Sequence, residues 1–155
     1  MSLGQLQHYF PTRETLVAYA MDLLTAETAA RVKHRIAELG PDPGPRDVVR
    51  AVVVEMLSAE DPDGAPVSSA QLSEALGSAE ANKRVRDEME QAHAAVEAIL
   101  RGAVRTGQLA ADTDVAIEAA RLLALTGFSS LLDVGVYTRA HVLRAIERHL
   151  DQLFG

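Results

Sequence analysis

Apolar residues recur three and four positions apart along almost the whole of this 155-residue chain. That spacing stacks them on one face of a helix and would scatter them over both faces of a strand, so it points to an all-α fold. Breaks in the pattern set the helix ends. Thr12 can cap a first helix, Glu14 sits in its first turn where the helix dipole favours an acid, and Leu16, Tyr19, Ala20, Leu23 and Leu24 are read as its packing face. The pattern runs on through Val32, Ile36 and Leu39 to "GPDPGP" at 40–45, where Gly40 supplies a C-terminal cap and the prolines cannot continue the ladder. Pro45 suits the first turn of a second helix, in which Val48, Val49, Val52, Val53, Met56 and Leu57 predict burial of one side.

Beyond a turn-rich loop at 59–66, Ser68 with Gln71 makes a capping box for a short helix carrying Leu72 and Leu76, closed by Gly77. A long amphipathic helix follows over 78–106. Its stripe holds Val85, Met89, Ala92, Val96, Ile99, Leu100, Ala103 and Val104, and Arg86 with Glu90 and Glu97 with Arg101 lie outside at helical pair spacing. Asp112 or Asp114 can cap the next helix, over 114–134, where Val115, Ile117, Leu122, Leu123, Leu125, Phe128, Leu131 and Leu132 cover too much of the circumference for a one-faced surface helix. After Gly135 a last helix over 138–154 carries a seam of Leu143, Ile146, Leu150 and Leu153, with Arg144, Glu147, Arg148 and Asp151 outside. The reading is about six helices. Pairing the last two with their symmetry mates through Leu125, Phe128, Leu132, Leu143, Ile146, Leu150 and Leu153 predicts a homodimer with an isologous four-helix contact.

The length suits one domain, and 48% hydrophobic residues with 24% charged argue against both disorder and a membrane protein. No Cys is present and no basic start leads into an apolar stretch, which fits a cytoplasmic protein without disulfides, thiolate metal sites or a signal peptide. A net charge of −7 would repel a phosphate backbone, and 4% aromatic residues without Trp argue against a base-stacking surface.

Against that background the opening run "LGQLQHYFPTRETL" stands out. Leu6 and Phe10 share one helical face, Gln5, Gln7, His8 and Tyr9 present hydrogen-bonding groups around the others, and Thr12 starts a helix whose free N–H groups, with Arg13 beside them, could hold an anion. A polar helix end followed at once by an anion-binding helix start suits a DNA-reading element. The order Gly4, Gln5, Leu6, Gln7, His8, Tyr9, Phe10, Pro11, Thr12, Arg13, Glu14 resembles the end of the recognition helix in TetR-family transcriptional regulators. Gln7 stands where that family more often has Tyr, and an amide can also donate to phosphate. The resemblance extends through helix order: a connecting helix, a middle group around a pocket and two final helices that form the dimer. It implies that residues 1–11 are the remnant of a helix-turn-helix whose earlier helices are missing, and that 12–155 form the ligand-binding and dimerisation domain. In the full-length protein Gln5, Gln7, His8 and Tyr9 would approach the groove of operator DNA, with Thr12 and Arg13 on phosphate.

The histidines, His8, His34, His93, His141 and His149, form no HExxH pair or carboxylate cluster, so no metal is expected. No Ser-His-Asp order, phosphate loop or dinucleotide fingerprint appears, so neither a catalytic residue nor a cofactor is expected. Met21, Met56, Met89 and Phe128 are adaptable side chains of the kind that line a promiscuous pocket, with His93 as a polar contact; each is also ordinary core. The resemblance therefore implies a ligand-responsive repressor with an unknown small-molecule effector and no membrane partner. The alternative is a helical dimerisation or sensor module that does not bind DNA, and an all-α enzyme comes third.

Overall fold

Most of the helix ends among the described residues fall where local chemistry allows them. The computed structural model describes residues 12–57, 77, 79–127, 132 and 135–155. Helix α1 (Arg13–Glu38) is opened by a capping box in which Thr12 Oγ1 accepts from the Thr15 N–H at 3.2 Å and Thr15 Oγ1 accepts from the Thr12 N–H at 3.3 Å. It stops because Gly40 takes φ +101°, a left-handed conformation open to glycine at no steric cost. Helix α2 (Pro45–Leu57) has proline in its first turn, where the missing N–H costs nothing. The short helix expected at 68–76 lies outside the described residues.

Helix α3 (Ala79–Arg105) ends at Gly107, whose φ of +74° reverses the chain while the Gln108 and Leu109 N–H groups donate back to the Ala103 carbonyl. The reversal delivers Leu109 into the core. Helix α4 (Val115–Thr126) is capped by Asp114, which accepts from the Ile117 N–H at 3.2 Å, and helix α5 (Arg139–Phe154) by Thr138, which accepts from the His141 N–H at 3.3 Å. Of the two expected caps before α4, the structure uses Asp114. That helix ends at Thr126 with Gly127 as its C-cap, short of the expected 134, and Leu132 is again helical. The five helices among the described residues are all α, and those residues contain no strand.

Helix α2 is the hub, touching α1, α3, α4 and α5. Val49, Val53 and Leu57 form a ridge four residues apart that enters the core with Val96, Leu100 and Ala103 of α3, Ala119 and Leu122 of α4, and Val142, Ile146 and Leu150 of α5. The expectation that α2 buries one side is corrected: Ala51 and Glu55, about 200° round the helix from Val49 and Val53, are buried as well. The second buried flank is the one that α1 covers.

The packing face of α1 also differs from the one read in the sequence. Met21 is its buried residue, with Val17, Thr28, Arg31 and Val32 half-buried on the same side, while Tyr19 is 55% and Leu23 47% exposed. Two residues of helix turn about 200°, so Tyr19 and Leu23 point away from the side that Met21 occupies. Leu24 is nearer that side and still largely exposed.

Candidate functional site

The end of the molecule expected to meet DNA begins at Thr12. Gln5, Gln7, His8 and Tyr9 lie outside the described residues, as does the side chain of Arg13. Thr12 is exposed, and its hydroxyl is committed to the α1 cap. A capped N-terminus that faces solvent retains N–H groups directed along the helix axis toward whatever precedes it.

From that end α1 lies against α2 and α3, held largely by polar groups. In its middle, Asp22 pairs with Arg84 of α3 and the Thr25 hydroxyl donates to Glu88. Farther along, Arg31 Nε stands 3.6 Å from Glu55 Oε2, and Arg35 Nε donates to Glu55 Oε1 at 3.4 Å. Glu55 is 9% exposed and is the one charged residue classed as buried among those described. Arg35 also pairs with Glu38 at 3.0 Å, and His34 Nδ1 is 3.4 Å from the other oxygen of Glu38.

The expected pocket residues do not converge in the structure. Met21 is buried, Met56 is half-buried, Met89 is 41% exposed on the outside of α3, and Phe128 lies outside the described residues. His93 is a strut between helices: its Nε2 stands 3.1 Å from the Ala116 carbonyl oxygen in the first turn of α4, and its Nδ1 4.0 Å from Glu97. Open hollows occur elsewhere. One runs along α1 past Ala30, Lys33, His34 and Ala37, and another lies between Pro43, Pro45 and Val48 and the end of α3 at Ile99, Gly102 and Thr106.

The seam expected between protomers divides in two. Ile146 and Leu150 are 0% exposed within the chain's own core, so they have no surface left for a second copy. Leu125, Leu132, Leu143 and Leu153 are half-buried at the edge of that core. Ile117, Val136 and Tyr137 are more exposed and sit near the same two helices in the chain. Helix α4 packs on α2, α3 and α5 through Ala119 and Leu122, while Ala116, Ile117, Ala120 and Ala124 stay exposed.

Two further links tie α5 down. Arg46 Nη2 of α2 lies 2.6 Å from Asp151 and 3.3 Å from Glu147, and Arg50 pairs with Glu147. The Asp151 hydrogen bond, outweighing a desolvation cost and aided by the charges of Asp151, Glu147 and Asp47, raises the Arg46 pKa above its ordinary value. On the other side, His149 Nε2 stands 2.9 Å from Glu118 Oε2 of α4, and Arg121 holds the second Glu118 oxygen at 2.6 Å. Glu147 and Asp151, expected on the outside of the seam, pair there with the arginines of α2, and Asp151 remains exposed. No three His, Asp or Glu side chains among the described residues are grouped to hold a metal ion, and no described helix is long and apolar enough to cross a membrane.

This arrangement, a helical hub with a long outlying first helix, has counterparts. The family of BetI-type transcriptional repressors, C-terminal domain, is matched by residues 45–155, the span of α2 to α5. The chain belongs to this TetR-type family. A solved structure of a transcriptional regulator from Rhodococcus sp. Rha1 is similar to it with a TM-score of 0.75 at 19% identity, covering 99% of this chain and 79% of that one. At that identity the likeness is one of fold, and it takes in α1 as well. No curated protein matches the chain.

In the TetR-type frame, sequence reading missed the residues that join the helices. Arg46 and Asp151 are 105 residues apart, and Arg35 and Glu55 are 20 apart across a loop. Glu55 carried one usable signal: it interrupts the apolar run "AVVVEML". An acid there must find a partner or face water.

Proposed function

We propose that this chain is the effector-binding and dimerisation part of a ligand-responsive transcriptional repressor. The observation that carries the proposal is the match of residues 45–155 to a repressor C-terminal family. The sequence ahead of α1 supports it, since residues 1–11 resemble the end of a recognition helix and lead directly into the Thr12 cap. Gln5, Gln7, His8 and Tyr9 then approach the operator groove, with the α1 N-terminus at Thr12 and Arg13 on phosphate. The effector is a small molecule, and Met21 on α1 and Met56 on α2 are the expected pocket residues that stay on facing helices. The protein pairs with a second copy through the outer edges of α4 and α5 and the turn between them, using Leu125, Leu132, Leu143 and Leu153.

DNA binding and pairing are tested separately. A gel shift with residues 1–155 should give no salt-resistant, sequence-specific band, because a net charge of −7 offers no attraction to phosphate. The product of the longest in-frame reading that includes this chain should protect a two-fold symmetric site near its own gene in a footprint; no protection, with folding intact, rejects the DNA-binding part. Sedimentation equilibrium should give a dimer at micromolar concentration, dissociated but still helical in Leu143→Arg. A monomeric wild-type protein rejects the pairing. Native mass spectrometry of protein purified from its source, showing a bound small molecule lost on denaturation, tests the effector.

A further inference from the structure

Glu55 occupies the least comfortable position on α2, on the side away from the common core. It lies on α2 between the buried Val53 and Leu57, on the side that α1 covers, and a carboxylate taken out of water there must be matched by charge. Arg31 and Arg35, one turn apart on α1, supply that match, each reaching a different oxygen of the same carboxylate. These are the charged groups within ion-pair distance of Glu55 among the described residues. Besides these, α1 has the exposed Asp22–Arg84 and Thr25–Glu88 contacts to α3, with Met21 buried and Leu16, Val17, Val32 and Ile36 half-buried. The helices α2 to α5, by contrast, share a continuous apolar core to which α1 contributes no residue.

We propose that Glu55 is the positioning residue for α1, a single buried carboxylate that decides whether this helix lies on the four-helix core or leaves it as a unit. Docking satisfies all three charges together. Loss of Glu55 leaves Arg31 and Arg35, which keep Thr28 and Glu38 as partners on α1, without a tie to α2, and loss of both arginines leaves the Glu55 carboxylate unmatched on the side that α1 covers. A shift of α2 that draws Glu55 from between the two guanidiniums has the same effect, so the clip converts a small movement in the core into release of the whole helix. Its meaning for regulation rests on the repressor reading, in which α1 leads to the DNA-contacting residues; the docking itself does not, and it is tested without DNA or effector.

The test is amide hydrogen exchange read by mass spectrometry on the full chain. In Glu55→Gln, amides of 22–38 should exchange about tenfold faster or more, while those of 96–103 and 142–150 change by less than about twofold. Adding Arg31→Gln and Arg35→Gln to Glu55→Gln should restore protection of 22–38 to within about threefold of wild type, because the uncompensated charges are gone. A side chain that matters only for packing would give no such recovery. Wild-type protection of α1 in Glu55→Gln, failure of the triple variant to recover, or loss of protection through every helix at once each overturns the proposal. If Glu55→Gln does not fold, Arg31→Gln with Arg35→Gln must show the same loss confined to α1, and unchanged protection there overturns it equally.

Discussion

Helices α1 and α3 are nearly equal in length, 26 and 27 residues, yet they are held in different ways. Helix α3 sends Val96, Leu100 and Ala103 into the common core and packs on α1, α2 and α4. Helix α1 rests on the outside with Met21 buried, a pair to Glu88 and Arg84, and a two-arginine grip on Glu55. Length and helical periodicity alone therefore say little about attachment. Apolar burial holds α3 by a non-directional force proportional to area, whereas α1 depends on a few directional contacts that salt and solvent weaken. An element held in the second way can move without dissolving the first.

Substitutions can sharpen this contrast or break it. The largest effect is expected for Leu122→Ala or Leu100→Ala, which empty fully buried positions and should cost about 3 kcal/mol of global stability, read as a lower urea midpoint with unchanged slope. Met21→Ala should cost about 2 kcal/mol, but as faster exchange confined to α1 with the global midpoint little changed. An equal fall in the global midpoint would show that α1 unfolds with the core and is not separable. Asp114→Ala removes the α4 cap and should cost about 1 kcal/mol by the same denaturant measurement. Arg46→Ala loosens a half-exposed α2 to α5 link and should cost less than about 1 kcal/mol, more at low salt than at high. Because the folded protein raises the Arg46 pKa through ionised carboxylates, its contribution is present across the neutral range and is lost as pH rises past the arginine range, so no neutral-range dependence should come from this residue. Tyr19→Ser, on the outer side of α1, should stay within about 0.5 kcal/mol of wild type.

The sequence by itself determined the helix class and nearly every helix end. Thr12, Gly40, Pro45, Asp114 and Thr138 act through their own backbone or through a bond three residues away, and nothing distant is needed for a capping box, a left-handed glycine or a proline in a first turn. The tertiary structure decided which face each helix turns inward. Helix α1 carries apolar residues on more than one side, so Tyr19 and Leu23 looked as suited to burial as Met21 until α2 and α3 were in place. The α5 seam was legible as a seam, yet whether Ile146 and Leu150 met another copy or their own chain depended on α2 and α4 reaching them first. The charged pairs were least legible of all, because Glu55 with Arg31 and Arg35, or Arg46 with Asp151, are related by no sequence period. A helix end is fixed by bonds within a turn of itself, whereas a face or an ion pair is fixed by neighbours that only folding brings within a few ångströms.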